Sequence, residues 1–483
     1  MNSLTRTTAP WLLAVALTAG CGGEASSESS APNVVIFLID TLRADRMGVY
    51  GYEHPTTPFL DELARTECVV FEDASSPAPW TLPSVVSMMT STFLPEHGVS
   101  TDSRRLPEGV PTLATHLKRA GYSTGSIYHN PYAGPLSGLE RDFDLCIQST
   151  DEVGFNHVRD WLDADPDPPF YLYLHNAVPH DPYDPPERLL SLYGEVSSDR
   201  RKEVEDLQRR YRKLTRQNNV RRFDGTKPDN SIEQTELLAE MRALQSEIEA
   251  LYDGEVHHAD EYIRRVVEEL KKDGVWDNTL FIVLSDHGEE LGEHGGFEHD
   301  QSLYEELVRV PFVVHFPRGA HAGTRVEAPV SLVDLLPTVL DAVGLEVPRN
   351  SVGHSLLPLL DDPAAPLANQ MRVVSYRLNL KKLYTPWKEE RGDENVVVRE
   401  GSWKAIWNVD LDRIELFDLA SDPGEENDLA GSEQERAQRM REFARSQRET
   451  FLTRALESTP DAAGLAPEVR ERLQDLGYLS NEE

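Results

Sequence analysis

Four runs of consecutive apolar residues stand out along the first two thirds of the chain. They are rich in Val, Ile, Leu and Phe, and they lie at residues 33–39, 170–175, 279–285 and 311–316. Such runs, without alternating polar positions, are typical of strands that are buried on both faces of a sheet. Apolar residues at helical spacing predict helices between them, at residues 57–66, 111–120, 154–162, 255–272 and 331–343. Strands that alternate with helices predict an α/β fold with a mostly parallel central sheet.

The pattern changes in residues 187–250, which are highly charged and predicted to be largely helical. Residues 200–222 are strongly basic, and residues 232–251 have the spacing of an amphipathic helix. One interpretation of this insertion is a cap that helps to select an anionic substrate. The other, which we favour, is a solvated helical hairpin, because runs of charge usually face water.

Short strands are predicted in the last third of the chain. Apolar segments at 396–398, 404–407 and 415–417 are separated by turn residues and predict a small antiparallel sheet. Two charged helices are predicted to follow, at 432–456 and 467–476. We therefore divide the chain after the N-terminal region into a larger part, residues 32–370, and a C-terminal part, residues 371–483.

The N-terminal residues have the layout of a secretory signal. One positive charge precedes a short apolar run at 11–17, and Thr18-Ala-Gly-Cys21 follows it. Small residues directly before a Cys resemble the bacterial lipoprotein processing site, at which the Cys is acylated. We expect residues 1–21 to be a lipoprotein signal with lipidation at Cys21, and residues 22–31 to be a flexible tether. The protein would then be exported and held at the bacterial cell envelope, periplasmic or surface-exposed, by a lipid anchor alone. A plain signal peptide is the alternative.

Net charge narrows the range of ligands. Of the 483 residues, 83 are acidic and 48 are Lys or Arg, which gives a formal net charge of −35. A surface of this sign argues against nucleic-acid binding and repels anionic substrates at long range. An anionic substrate must therefore be held by a local site, for which a metal is the expected source of positive charge. The three cysteines are too few for a disulfide framework, and at most Cys68 and Cys146 could pair.

Candidate metal ligands follow two of the predicted strands. Asp40 ends the run at 33–39, and Asp286 and His287 end the run at 279–285. In parallel sheets, binding sites form at the carboxyl ends of strands. A carboxylate at such a place is a hard ligand for a cation, and an adjacent Asp and His can both reach one metal. A turn or cap role for Asp40, and a purely structural loop after residue 285, are the alternatives.

Hydroxyl and imidazole groups supply the remaining candidates for catalysis. Thr81 opens an apolar helical stretch, where free N–H groups and the helix dipole favour an oxyanion. Its alternative role is that of a helix N-cap. His175 and His180 lie at a strand end and in the proline-rich loop after it, where a His could donate to an anionic oxygen or protonate a leaving group. A structural loop His is the alternative.

Motifs along the chain resemble the sulfatase-like branch of the alkaline phosphatase superfamily, over about residues 32–430. They include Asp40-Thr-Leu-Arg-Ala-Asp45, Thr81-Leu-Pro-Ser84, Pro95-Glu-His-Gly98, Leu303-Tyr-Glu-Glu306 and Leu416-Phe-Asp-Leu419, in the family's order. The resemblance implies an alkaline phosphatase-like fold, in which helices flank a mostly parallel central sheet and a small antiparallel subdomain follows. It also implies a metal-dependent hydrolase that acts on anionic esters.

Several positions depart from the sulfatase pattern. A sulfatase has Cys or Ser at position 81, converted to formylglycine, and an Arg at position 85, whereas this chain has Thr81 and Val85. Thr is not expected to be converted. The second metal-binding Asp of the family is Thr41 here, and the Asn after the late Asp is His287. Residues 127–130 (Ile-Tyr-His-Asn) replace a segment that carries a sulfate-binding Lys. These departures argue against sulfate-ester hydrolysis.

The remaining pattern is similar to Thr-nucleophile phosphodiesterases, phosphonate hydrolases and phosphoglycerol or phosphoethanolamine transferases. The resemblance implies that Asp40, Thr81, Asp286 and His287 bind one divalent metal, and this ligand mixture favours zinc or manganese, with calcium as the alternative. It implies that Thr81 is the nucleophile and that His180 or His299 protonates the leaving alcohol.

We therefore predict an exported hydrolase of phosphate or phosphonate mono- and diesters. One alternative is a sulfatase that acts on sulfated glycans or small sulfate esters. The others are a transferase of the phosphoglycerol or phosphoethanolamine type and an inactive binding lipoprotein.

Overall fold

The computed structural model describes residues 31–100, 105–149, 151–164, 166, 168–223, 231–362, 365, 367, 370–378 and 394–458. The predicted signal, most of the tether and the predicted helix at 467–476 lie outside these residues. Within the described part, no helix is long and apolar enough to span a membrane.

The strands are β1 Asn33–Ile39, β2 Val69–Ser75, β3 Ser123–Tyr128, β4 Leu145–Gln148, β5 Phe170–Asn176, β6 Thr279–Leu284, β7 Glu290–Leu291, β8 Phe297–Glu298, β9 Arg309–His315, β10 Arg325–Val326, β11 Val330–Ser331, β12 Arg372–Leu378, β13 Glu394–Glu400, β14 Trp403–Asn408 and β15 Arg413–Asp418. The helices are α1 Pro58–Glu67, α2 Thr81–Thr90, α3 Leu94–His97, α4 Leu113–Arg119, α5 Asp151–Asp163, α6 Glu187–Leu190, α7 Ser198–Phe223, α8 Ser231–Ala243, α9 Gln245–Lys272, α10 Glu305–Val308, α11 Leu335–Ala342, α12 Leu357–Asp361 and α13 Gln434–Ser458.

A central sheet confirms the predicted α/β fold. In the described residues it has nine strands, in the order β10-β2-β9-β6-β1-β5-β3-β4, with β11 also paired to β2. Its pairs are parallel except for those of β9, which runs antiparallel to both neighbours. The separate sheet β12-β13-β14-β15 is antiparallel throughout, as predicted for the C-terminal part. Its first strand, β12, was not predicted from the sequence.

Apolar residues on both faces of β1 explain why its sequence has no alternation. Val35, Phe37 and Ile39 belong to one buried cluster, and Val34, Ile36 and Leu38 belong to a second cluster on the opposite face. All six side chains are at least nine-tenths buried. A strand that is covered by helices on both sides must be apolar at every position. The polar residue that ends the run, Asp40, therefore marks the edge of the sheet.

The charged insertion differs from its prediction in two respects. The predicted segment 232–251 is helical except at Leu244, but its boundaries are wrong, since α8 ends at Ala243 and α9 runs on from Gln245 to Lys272. Gly254 lies inside α9, and Pro185 packs against it. A Cβ atom at this position would lie 2.8 Å from Pro185, so only glycine fits. In addition, α7 buries Val204, Leu207, Tyr211 and Leu214 in the core, so it is not solvated on all sides.

The free cysteines also settle one expectation. Cys68 is buried and Cys146 is partly buried, and both are free thiols, so the pairing that the sequence left open does not form.

A buried ion cluster joins the C-terminal sheet to the segment before β9. Lys404 of β14 is fully buried, and its Nζ lies 2.7 Å from Glu305 Oε1 and 2.9 Å from Glu425 Oε1. Two buried carboxylates therefore share one cation. Removal of one partner from such a cluster leaves uncompensated charge in the interior.

Replacing Lys404 with Met is expected to destabilise the protein by about 3–5 kcal/mol, because Glu305 and Glu425 would then face each other without a cation. The urea-unfolding midpoint measures this. The control is Lys272→Met, which breaks the exposed Lys272–Glu269 pair and is expected to leave the midpoint almost unchanged. Equal losses in the two variants would contradict the prediction.

Candidate functional site

The carboxyl ends of β1 and β6 bring three candidate ligands together. Leu38 of β1 pairs with Leu284 of β6 in a parallel register. Asp40 and Asp286, each two residues further on, therefore reach the same level at the edge of the sheet. His287 follows directly, and the three side chains are completely buried.

The ligating atoms of these residues face one another. His287 Nε2 lies 3.4 Å from Asp40 Oδ1 and 3.7 Å from Asp286 Oδ2. Among the described residues, Asp40 Oδ1 and Asp286 Oδ2 are buried oxygens without a hydrogen-bond partner. The other ring nitrogen, His287 Nδ1, lies 2.8 Å from the carbonyl oxygen of Gly288, which leaves Nε2 as the free end. Two orphaned carboxylate oxygens and one imidazole nitrogen within 4.8 Å of one another fit a divalent metal.

The electrostatics of the cluster agree with a cation site. Burial and the neighbouring Asp40 carboxylate raise the pKa of Asp286 well above its usual range. Burial alone would also raise the pKa of Asp40, but the hydrogen bond to His175 and the charge of His180 hold it well below. Burial, with the charge of His299, lowers the pKa of His287 to about 3, so its imidazole is neutral and free to act as a ligand. Two buried carboxylates this close need a cation to offset their repulsion.

Thr81 is the first residue of α2, and it is not the N-cap. Trp80 has the extended backbone of the N-cap position, and no side chain caps the helix. The Thr81 hydroxyl is instead directed to the cluster, with Oγ1 at 3.3 Å from His287 Nε2. The dipole and the unpaired N–H groups of the first helical turn favour negative charge at this place. The capping interpretation from the sequence is therefore wrong.

Two serines fix α2 to the end of β6. Ser84 Oγ donates a hydrogen bond to the carbonyl oxygen of Asp286 at 2.7 Å, and Ser76 Oγ donates to the same oxygen. Ser285 Oγ accepts from Leu42 N at 2.9 Å and so joins β6 to the segment after β1. The first turn of α2 and the ligand pair thus have a fixed separation, and this explains the Ser of the Thr-x-Pro-Ser motif.

Asn130 contacts the site, although the sequence did not single it out as a site residue. It follows β3, and its Nδ2 donates to Asp40 Oδ2 at 3.2 Å and to Thr81 Oγ1 at 3.5 Å. Its Oδ1 accepts from Tyr132 N at 3.0 Å, which fixes the orientation of the amide. The rule that identified Asp40, a polar residue just beyond a buried strand, would also have found Asn130. The neutral amide of Asn130 therefore lies in the segment where the resemblance leads us to expect a cationic Lys.

His175 lies at the carboxyl end of its strand, as predicted, and its side chain contacts Asp40. It is part of β5 and is completely buried, with Nε2 at 3.4 Å from Asp40 Oδ2. This is the same oxygen that accepts from Asn130, so Oδ1 stays available to a metal. His175 therefore supports Asp40.

His180 and His299 form the outer edge of the site. Their rings are 5.1 Å apart, and the ring of His299 is 4.6 Å from that of His287. His299 Nδ1 lies 3.0 Å from Glu289 Oε1, and His180 Nδ1 lies 2.8 Å from the carbonyl oxygen of Asp181. In both residues Nδ1 has an acceptor, so Nε2 is the atom available to a substrate.

Burial opposes the charged form of both imidazoles, but nearby carboxylates outweigh it. The hydrogen bond and charge of Asp181, with the charge of Asp40, raise the pKa of His180 well above its usual range. Glu289 raises the pKa of His299 in the same way. The raised pKa values favour the protonated form of both imidazoles, and this form can hold an anion or donate a proton.

Comparisons with known proteins show which family the chain is similar to. The sulfatase family model matches residues 32–345, and a model described as N-sulphoglucosamine sulphohydrolase, C-terminal, matches residues 292–449. The chain is similar to an N-acetylglucosamine-6-O-sulfatase of Bacteroides thetaiotaomicron, with 25% identity over 92% of this chain and 89% of that protein.

Two solved structures share the fold. One is described as a complex with its substrate D-glucosamine-2-N,6-O-disulfate, and has a TM-score of 0.67 and 21% identity over 89% of this chain and 99% of that one. The other is the phosphonate monoester hydrolase of Agrobacterium radiobacter, with a TM-score of 0.65 and 19% identity over 88% of this chain and 96% of that one.

Proposed function

The chain belongs to the sulfatase family of metal-dependent ester hydrolases, and from that premise we propose that it cleaves phosphate or phosphonate mono- and diesters through Thr81. The observation that carries the proposal is the position of the Thr81 hydroxyl, 3.3 Å from His287 Nε2 and at the first residue of α2. An unmodified alcohol at this point is the reacting group of a phosphoryl-transfer enzyme. The proposed setting is the cell envelope, through the lipid anchor expected at Cys21.

The metal would be held by Asp40, Asp286 and His287, with Thr81 beside them. Zinc or manganese suits a set that contains an imidazole better than calcium, which prefers oxygen ligands alone. When bound, such a metal lowers the pKa of a nearby hydroxyl and offsets negative charge in the transition state.

The residues of the chain supply the remaining chemistry. Thr81 Oγ1 loses its proton to solvent and attacks phosphorus, and the bond from phosphorus to the leaving oxygen breaks in line with it. His180 or His299 donates a proton from Nε2 to the leaving alkoxide. Water then attacks the phosphorus atom on Thr81, and the same imidazole takes a proton from that water. The bond from phosphorus to Thr81 Oγ1 breaks, and Oγ1 regains a proton from solvent. The N-terminus of α2 favours the charge that develops near Oγ1.

Two features support phosphorus over sulfur as the reacting centre. The resemblance does not lead us to expect Thr81 to become formylglycine. The neutral amide of Asn130 lies 3.2 Å from Asp40 and 3.5 Å from Thr81, on a segment that differs from the one with the sulfate-binding Lys. Sulfate-ester hydrolysis is the second candidate, because the curated relative described above is a sulfatase.

The test compares matched nitrophenyl esters with the full chain, purified in detergent, stripped of metal and reloaded with zinc, manganese or calcium. We expect cleavage that depends on zinc or manganese, with kcat/KM for the phosphodiester or phosphonate ester at least about 100-fold above that for the sulfate. Preference for the sulfate would mean that an unmodified Thr serves sulfuryl transfer, and the phosphoryl proposal would be wrong. If the protein cleaves none of the esters with any of the three metals, the alternative of an inactive binding protein is favoured.

A further inference from the structure

Helix α7 extends from the charged insertion to the edge of the site. Tyr211 is fully buried in the core, and its neighbour Arg212 is partly exposed. Because Tyr211 and Arg212 are adjacent on α7, they can contact different parts of the site edge. The sequence left the role of this insertion open between a cap and a solvated hairpin.

Arg212 contacts the residue next to His180. Its Nε lies 2.9 Å from Asp181 Oδ2, and the side chain of Asp181 is only 1% exposed. The other carboxylate oxygen, Asp181 Oδ1, lies 3.1 Å from His180 Nδ1. A continuous chain of charged contacts therefore runs from the insertion through a buried carboxylate to an imidazole of the site.

Tyr211 makes a matching contact with the segment that carries His299. Its hydroxyl accepts a hydrogen bond from Gln301 Nε2 at 2.9 Å, and the same Nε2 lies 2.8 Å from the carbonyl oxygen of Phe297. His299 lies between these two residues in the sequence. Consecutive residues of one helix thus support both imidazoles, whose rings are 5.1 Å apart.

The surroundings of Asp181 explain why it needs a cation from α7. Glu289 and Glu298 also lie close by, and each has a buried carboxylate oxygen without a hydrogen-bond partner in the described part of the chain. Arg212 Nε is 4.0 Å from Glu298 Oε1 as well. Without Arg212, Asp181 and Glu298 would lose their guanidinium neighbour, and the Asp181 carboxylate would no longer be held beside His180 Nδ1.

We propose that Arg212 is a positioning residue, which acts through Asp181 to hold the His180 ring with Nε2 toward the leaving oxygen. The inference rests on the proposed function in one respect, the use of His180 as the proton donor. The charged insertion at 187–250 then has a part in the reaction, because its helix α7 supplies Arg212, which keeps the proton donor His180 in position. Arg212 itself does not touch the substrate.

The experiment compares leaving groups in the full chain. Arg212→Ala is expected to lower kcat by about 10- to 100-fold on a phenyl ester, whose leaving group needs a proton, and by less than about 3-fold on a dinitrophenyl ester, which does not. Added guanidinium is expected to restore part of the loss on the phenyl ester. The control is Arg210→Ala on the same helix, which removes an exposed pair with Glu240 and is expected to change neither rate.

A second variant keeps the test valid if Arg212→Ala does not fold. Arg212→Gln retains an unbranched polar side chain, shorter than that of arginine, without its charge, and it is expected to show the same dependence on the leaving group. Equal losses on both esters, or no loss on either, would overturn the inference. The esters are taken from whichever class, phosphate or sulfate, the unaltered protein cleaves. A sulfate preference with the expected dependence therefore refutes the proposed function alone, whereas inactivity on all esters refutes both.

Discussion

Removing the Thr81 hydroxyl is expected to lower kcat by about 10⁴-fold or more, as for other enzymes that lose their nucleophile. Thr81→Val is the sharpest form of this change, because valine keeps the shape of threonine and its fit at the start of α2. Thr81 is buried, and its Oγ1 lies near His287 Nε2 and Asn130 Nδ2, so only these contacts are lost. The fold should remain intact, as the thermal melt would show.

The control for this change is Thr81→Ser, which keeps the alcohol and is expected to retain measurable turnover. Intact mass would verify that the serine is unmodified. In the unaltered protein, rapid quenching during turnover should trap one phosphoryl group on Thr81, and the peptide that carries it can be identified by mass spectrometry. Turnover in Thr81→Val at the level of the unaltered protein would falsify the assignment of the nucleophile.

The second large effect is expected from Asp286→Asn, which keeps the size of the side chain and removes its charge. Asp286 Oδ2 is one of two buried, unpartnered carboxylate oxygens that face His287 Nε2. Changes to residues that merely support metal ligands cost about 10- to 100-fold in affinity, so the loss of a ligand should cost at least about 100-fold. Metal content after dialysis, measured by mass spectrometry, should fall from one ion per chain to almost none, and activity should fall with it.

Stability should change in opposite directions with and without metal. In metal-free protein at neutral pH, the raised pKa of Asp286 costs stability, because burial and Asp40 oppose its charged form, so Asp286→Asn is expected to raise the melting temperature. With zinc or manganese in excess, the unaltered protein should gain stability and the variant should not, because only a protein that binds the ion is stabilised by it. The matched control is Asp260→Asn, a buried carboxylate that caps α1 through Phe59 N and Leu60 N. A metal content in Asp286→Asn equal to that of the control would show that Asp286 is not a ligand.

The position of Asp40 and of the Asp286–His287 pair could be predicted because strand patterns are local. Each residue follows a run of apolar residues, and the ends of parallel strands meet at one edge. The same rule could have identified Asn130 after β3, but the segment before it, Ser123–Tyr128, contains Ser, Thr and Gly, and its apolar signal is weak. The rule also placed His175 correctly at the end of β5, but it did not reveal that this side chain is buried against Asp40.

The helical segments show a second limit of prediction from sequence, the position of helix boundaries. The predicted break between residues 251 and 255 coincides with Gly254, a residue that weakens isolated helices. The structure has no break there, and the helices instead meet at Leu244. The glycine is explained by Pro185, which packs against it and leaves no room for a Cβ atom. The contact partner of Gly254 comes from a distant segment, so no local pattern reveals it.

The sequence by itself therefore determined the fold class, the family and the four residues around the candidate metal, since these depend on periodicity and on motifs of a few residues. Only the tertiary structure decided which atoms face one another. It placed Asn130 between Asp40 and Thr81, and it brought Arg212 from the insertion to Asp181. Contacts of this kind depend on the packing of α7 and β3 against the rest of the molecule. Side-chain burial over long sequence separations sets that packing, and hydrophobic spacing in a single element does not encode it.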